Sequence, residues 1–314
     1  MDHGQERKMD QKTWMLNHVL VVGFIQKVLG CHFDDQSIQR AIGLLKTNSV
    51  KLDSKPGYTT GSAIYPTFSY LNHNCVCNTR TKKYVDENGD SVIELHAILP
   101  IKEGEEITTR YTTPQLGTMR RQQLVQSQWY FTCQCKRCLD PTELGTQANS
   151  AMCPNCSSGI IVPRTPTNLT SHWTCDSCDK ETSATHVMRI LLKVEAEISQ
   201  AEGLHVLQNR KELLEKIISD NSGKTLHPHH FLLTGAREKL IQSIMSLRSQ
   251  MIKEQKLNPE QHAKENLKLL EYQVELFKQV AEVMTKVDLP RDFWDQTQVK
   301  MEKELALAQA EQDN

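Results

Sequence analysis

Along the first 34 residues Trp14, Leu16, Val19, Leu20, Phe24 and Val28 recur near the 3.6-residue period of an α-helix. Asp34 or Asp35 can cap a second helix, on which Ile38, Ile42 and Leu45 share a face. From about residue 50 the pattern changes to short β segments and turns. Asn88-Gly89 lies between two strand-like runs and predicts a hairpin over 79–98. On its second strand Ile93, Leu95 and Ala97 point one way and Glu94 and His96 the other. A turn at Lys102-Glu103-Gly104 leads to a short strand on which Ile107, Thr109 and Tyr111 share a face, and a polar helix carrying Met119, Leu124 and Val125 follows. Residues 139–172 are rich in Pro, Gly, Ser, Thr and Asn and read as loops. From about 184 amphipathic patterns return and predict four helices, near 185–219, 229–254, 261–286 and 291–312. Breaks fall at Asn221-Ser222-Gly223, Asn258-Pro259 and Asp288-Leu289-Pro290, which suits antiparallel helical hairpins without a strict repeat.

The chain has 314 residues, room for two or three domains, and 38% of them are apolar, which excludes wholesale disorder. A net charge of −1 argues against a generic binder of nucleic acid or anionic membranes. The basic pairs Lys82-Lys83, Arg120-Arg121 and Lys136-Arg137 read as solvated faces, so direct nucleic-acid binding is not expected. The apolar run Val19–Ile25 is too short to span a bilayer, and the mixed charges before it match no signal peptide. No membrane association is expected, and the location expected is cytoplasm and/or nucleus.

Ten cysteines, in clusters, change the picture. Without a secretory signal they point to metal sites rather than disulfides. Cys153-x2-Cys156 and Cys175-x2-Cys178 pair as two knuckles around one tetrahedral zinc, and four thiolates leave no open position, so the role is structural. Cys133-x-Cys135-x2-Cys138 supplies three ligands and needs a fourth, for which Cys75 and Cys77 are candidates. Cys31 reads as a small buried residue.

Three motifs then occur in one order. Ser69-Tyr-Leu-Asn-His-Asn-Cys75-Val-Cys-Asn78 resembles the S-x-L-N-H-S-C-x-P-N signature of SET-domain lysine methyltransferases. Gly104-Glu-Glu-Ile-Thr-Thr-Arg-Tyr111 resembles the G-E-E-[IL]-x-x-x-Y signature of the same domain, and the cysteine run from Cys133 resembles its post-SET zinc motif. With Gly61-Ser-Ala-Ile-Tyr-Pro66 and the helical C-terminal region, the chain resembles the SET-and-MYND (SMYD) family, and the extra four-cysteine unit resembles its arthropod-specific, SmydA-like branch. Residues from about 35 to 180 carry the likeness. Leu226-His-Pro-His-His230 is the best local match to the family's helical domain.

The resemblance implies an α+β fold: a partial SET β fold, a zinc-bound post-SET segment, a zinc-knuckle unit and an all-α helical-hairpin C-terminal domain. The domains expected are 1–112, 113–140, 141–183 and 184–314. It implies methyl transfer from S-adenosylmethionine to a lysine of a histone or other protein, and two zinc ions. Cys75 would be the fourth ligand beside Cys133, Cys135 and Cys138. Tyr111 would be the active-site tyrosine, with Ser69, Leu71, Asn72, His73, Trp129 and Phe131 against the cofactor. The knot-like passage of the SET fold would let residues 72 and 111 meet.

The family's Gly-x-Gly cofactor segment has no counterpart, since no two glycines here are separated by one residue, and only Cys31 precedes residue 75. The expectation is a chain lacking the first SET strands and the MYND finger, with unpaired sheet edges, exposed apolar surface, weak cofactor binding and weak or absent activity. A different class of function is a non-catalytic zinc and helical interaction module holding a peptide partner on the C-terminal helices.

Overall fold

The computed structural model describes residues 2–55, 58–156, 158–254, 259–287 and 292–312. The chain divides into two compact units, one of Met1–Tyr111 with Gln122–Cys133 and one of Thr112–Arg121 with Gln134–Asn314.

The first unit begins with helices α1 (Gly4–Met9) and α2 (Gln11–Asn17), continued through two π-helical turns to Val28. Helix α3 (Asp35–Asn48) starts as the sequence predicts, with the Asp34 carboxylate accepting from the Ser37 amide. Arg7 is buried and donates to the Gln39 carbonyl (2.6 Å) and Gln39 Oε1 (3.1 Å), which ties α1 to α3. The predicted lead-in helix forms, but its apolar stripe finds no cover. Leu16, Val19, Leu20, Phe24 and Val28 are exposed, and of that stretch only Val22 is fully buried.

Strands β1 (Ser49–Lys55) and β2 (Tyr58–Ile64) pair antiparallel. Strand β3 is the short Asn72–His73, and β4 (Thr79–Val85) with β5 (Ser91–Ala97) makes the predicted hairpin, with Gly89 at φ 86° in its turn. The third strand, β6 (Thr108–Thr109), is shorter than the pattern suggests and pairs parallel with β3, Asn72 facing Thr108 and His73 facing Thr109. Parallel neighbours need a long connection, and the β4–β5 hairpin supplies it. Among the described residues every sheet of this unit has two strands, so the unpaired edges expected from the sequence are present. Helix α4 (Thr118–Trp129) ends at the tryptophan of the candidate site.

The second unit opens its own chain with the four-residue helix α5 (Lys136–Leu139). A four-stranded antiparallel sheet follows, in the order β10-β9-β8-β7, from β7 (Ala151–Met152), β8 (Ile160–Pro163), β9 (Trp173–Cys175) and β10 (Glu181–Thr182). Each cysteine knuckle sits beside one of its hairpins. Five helices complete the unit: α6 (Ala184–Glu202), α7 (Leu207–Asn221), α8 (Phe231–Glu254), α9 (Pro259–Val287) and α10 (Asp292–Gln312). The predicted helix 185–219 is therefore two helices. Gly203 ends α6, its amide donating to the Ser199 and Ala201 carbonyls, and the chain turns through Leu204–Val206. Of the expected breaks, Asn221-Ser222-Gly223 holds, with Gly223 at φ 69°; Asn258 and 288–290 lie outside the described residues. One core joins the small sheet to the helices, packing Ile161 and Trp173 with Val187, Leu191, Leu214, Leu233 and Leu240. Burying a Leu or Val side chain stabilises by about 1.5–3 kcal/mol, so the sheet without its helices would lose most of its support. No helix among the described residues is long and apolar enough to cross a membrane.

Candidate active site and metal centres

The parallel pairing of β3 with β6 brings two distant stretches of sequence together. His73 accepts the Tyr111 amide on Nδ1 at 3.0 Å, and the Tyr111 hydroxyl donates to the Leu71 carbonyl at 2.6 Å. An Nδ1 that accepts places the ring proton on Nε2, and Nε2 lies 3.3 Å from Cys75 Sγ. One imidazole thus bridges the Cys75 sulfur and the backbone of Tyr111. The ring of Tyr111 stands 5.2 Å from that of His73, 5.0 Å from that of Trp129 and edge-on to Phe131 at 6.4 Å. Trp129 is fixed by its indole N–H, which donates to the Thr47 carbonyl at 2.9 Å, and Tyr130 beside it accepts from Lys46 at 2.5 Å. Burial, and next the nearby Glu106 carboxylate, push the Tyr111 phenol above its ordinary pKa of 10.0. It therefore stays a neutral phenol at physiological pH.

A cavity of about 400 Å³ opens on this tyrosine, lined by Ser69, Tyr111 and Trp129 of the expected set. Its other walls were not anticipated: Thr47, Asn48, Ser49 and Val50 at the α3–β1 junction, Phe68, the hairpin residues Thr81, Lys83 and Ile93, and the cations Lys51 and Arg110. Nothing in the local sequence marks the α3–β1 junction as a wall; only the fold carries it there. Ser69 also donates to the Tyr65 carbonyl at 2.9 Å. Leu71, Asn72, His73 and Phe131 do not line this cavity. Leu71, His73 and Phe131 surround Tyr111, and Asn72, which is exposed, donates to Glu106 at 2.7 Å.

Both cysteine sets converge. The Sγ atoms of Cys75, Cys133, Cys135 and Cys138 lie within 4.8 Å of one another, and so do those of Cys153, Cys156, Cys175 and Cys178. No disulfide joins any of the ten cysteines. The Sγ atoms of Cys75 and Cys133 lie 3.9 Å apart, and those of Cys153–Cys178 and Cys156–Cys175 both 3.7 Å. A tetrahedron with Zn–S bonds of about 2.3 Å has edges of about 3.8 Å, so both sets fit zinc. Amides of Asn155 and Ser177 point at Cys153 and Cys175 Sγ at 3.4 Å, as donors to thiolates do. The spare thiol is Cys77, whose Sγ lies 3.0 Å from the Thr79 carbonyl. Cys31, expected to be buried, is only half-buried.

The solvated-face reading of two basic pairs is corrected. Arg121 and Arg137 are fully buried, and both bond Glu143 Oε2, at 2.8 and 2.9 Å. Burial alone would raise the Glu143 carboxyl, but Arg121 and Arg137 hold it below its ordinary value. Arg121 Nη2 also reaches Cys138 Sγ at 3.5 Å, placing a guanidinium on a candidate thiolate ligand. The position of Arg137 between Cys135 and Cys138 in the sequence is the one signal that it stands near the cysteine cluster rather than on an open surface.

The comparisons with known proteins agree with the geometry. Residues 6–112 match the family model described as the SET domain. The chain carries a SET domain. SmydA-8 isoform A of Drosophila melanogaster, a SET domain-containing protein, is 31% identical over 151 residues, 47% of this chain and 31% of that protein. A SET and MYND domain-containing protein of Dictyostelium discoideum is 31% identical over 109 residues, covering 33% of this chain and 25% of its own. A histone-lysine N-methyltransferase of Candida albicans is 33% identical over 90 residues, 29% of this chain and 19% of that enzyme. The chain thus spans a third or less of the curated relatives it matches. Around this SET domain the α+β class expected from the sequence holds, with small sheets, two four-cysteine clusters and a helical C-terminal region.

Proposed function

We propose that the protein is a protein-lysine N-methyltransferase whose transfer site is the cavity at Tyr111. The observation that carries this reading is the β3–β6 pairing, which sets Tyr111 among His73, Trp129 and Phe131 on a cavity wall. S-adenosylmethionine would supply the electrophilic methyl group, and the aromatic walls with Asn48 and Ser69 suit such a partly apolar, partly polar ligand. The residues already described give the chain three tasks.

The first is orientation. The Tyr111 hydroxyl commits its proton to the Leu71 carbonyl, so its oxygen keeps lone pairs to accept an N–H of the target amine and aim the nitrogen. The second is exclusion of water by Trp129 and Phe68, which line the cavity and favour the neutral amine over the ammonium. The third is rigidity. His73 fixes the Tyr111 backbone, and Cys75, held with Cys133, Cys135 and Cys138, fixes His73. Both zinc ions would be structural in this account, one behind the transfer site and one in the small sheet of the second unit. The substrate would be a lysine of a histone or other protein, met in the nucleus or cytoplasm.

The test is Tyr111→Phe in the zinc-loaded chain, with methyl transfer to peptides read by mass spectrometry. A fall of about 10²-fold or more in transfer with peptide binding retained is expected. Unchanged transfer would remove Tyr111 from the mechanism.

A further inference from the structure

A second cavity, of about 350 Å³, lies wholly within the second unit, where α6 and α8 meet residues 113–120. Its floor is apolar: Ile198 of α6 and Phe231, Leu232 and Ala236 of α8 are buried there. Gly235 keeps it open, since a Cβ at that position would meet nothing within 4 Å. Its rim is polar and open to solvent at Ser199, Glu202 and Gln242. Three carboxylates and two cations line it. Glu195 pairs with Arg120 at 3.0 Å, and Glu202 with the Lys239 ammonium. Glu238 stands apart. Its carboxylate is half-buried, and its hydrogen bonds come from a neutral group, the Gln115 amide, at 3.1 and 3.3 Å to its two oxygens. Lys239 acts on it through space while its own ammonium is held by Glu202. Burial pushes the Glu238 carboxyl above its ordinary pKa of 4.5, the mark of a charge short of compensation.

We infer that this cavity takes a lysine side chain from a partner protein segment, with its methylenes on the apolar floor and its ammonium on Glu238. An apolar slot that ends on a carboxylate without a paired cation matches a long stem with a charged head. The desolvation that Glu238 already bears is offset when a cation reaches it. The Gln115 amide sits astride both carboxylate oxygens, where a guanidinium fork would go. The lone pairs left over suit the single-point donors of an ammonium better than the planar fork of an arginine. The lining also carries one more negative than positive group, which favours the same kind of side chain. This cavity shares no residue with the one at Tyr111, so the inference does not rest on methyl transfer.

The experiment titrates the full zinc-loaded chain into fluorescein-labelled peptides of sequence Gly-Gly-Leu-X-Leu-Gly-Gly, read by anisotropy. X is lysine, arginine or norleucine, the last keeping an aliphatic stem without the charge. The lysine peptide is expected to bind at least about fivefold more tightly than either of the others. Glu238→Gln should bring the lysine peptide down to the norleucine value. Gly235→Leu fills the cavity from a helical position that has room for a side chain, and should remove binding of all three peptides. Circular dichroism and bound zinc report whether each variant is folded, and Gly235→Leu carries the test should Glu238→Gln fail to fold. Equal binding of the lysine and norleucine peptides overturns the inference, as does equal or tighter binding of the arginine peptide. A lysine preference that survives Glu238→Gln, or binding that survives Gly235→Leu, puts the contact elsewhere and overturns it too. So does the absence of saturable binding of the lysine peptide up to about 1 mM.

Discussion

At Glu143 one carboxylate holds two guanidiniums that have no access to water. Removing one member of a buried ionic group leaves an uncompensated charge, which costs about 3–5 kcal/mol. Glu143→Gln should therefore lower the unfolding free energy by about that amount in a urea titration; a loss under 1 kcal/mol would mean that Arg121 and Arg137 find other acceptors. His230 makes a separate statement about pH. It is fully buried, its Nδ1 accepts the Leu232 amide, and burial pushes its pKa down to about 3 from 6.5. The unfolded chain takes up the proton below 6.5 and the folded chain does not, so the stability is full above 6.5 and is lost as pH falls toward 3. The slope is about 1.4 kcal/mol per pH unit for one such group. Urea midpoints between pH 7 and 4.5 should fall along that slope and fall less in His230→Gln; parallel curves for the two proteins would contradict the assignment.

In the small zinc-type sheet, Gly159 belongs to the turn between β7 and β8. A Cβ there would meet Cys175 Sγ at 2.5 Å, and Asp176 Oδ1 and Ser177 Oγ at 2.8 Å. Gly159→Ala should displace the second knuckle and reduce bound zinc from two ions to one per chain by elemental analysis. Gly235→Ala on α8, where a Cβ meets nothing within 4 Å, should keep both and gain a few tenths of a kcal/mol or more of helix stability. Two ions bound in Gly159→Ala would show that the knuckle yields. Elements of this kind were legible because their signals are local. The hairpin announced itself in Asn88-Gly89, the α3 cap in Asp34, and the cysteine spacing marked Cys153, Cys156, Cys175 and Cys178 as one group and Cys133, Cys135 and Cys138 as three of another, whose fourth, Cys75, came only from the family resemblance. The division of 185–219 was missed because one Gly in an otherwise periodic run is a weak signal, decisive only once Gly203 has closed α6. The α3–β1 wall of the cavity was missed because no periodicity marks a surface made by distant pairings. Arg121 and Arg137 were misplaced because a basic dipeptide looks the same on a surface and around a buried carboxylate.

Over the whole chain the SET domain and the two cysteine clusters were readable, since each rests on motifs in a fixed order. The fate of the N-terminal apolar stripe was not, because a period of 3.6 says which residues share a face and nothing of what covers it. That face is exposed here from Leu16 to Val28, and each sheet of the first unit stops at two strands among the described residues. This leads us to expect S-adenosylmethionine to bind loosely, with a dissociation constant of about 0.1 mM. The most direct test is a calorimetric titration of S-adenosylmethionine into the zinc-loaded chain. The account predicts saturable binding near that value, lost in Phe131→Ala and His73→Ala. No saturable heat, with two zinc ions held and the circular dichroism unchanged, would contradict the claim that the Tyr111 cavity is a methyl-transfer site.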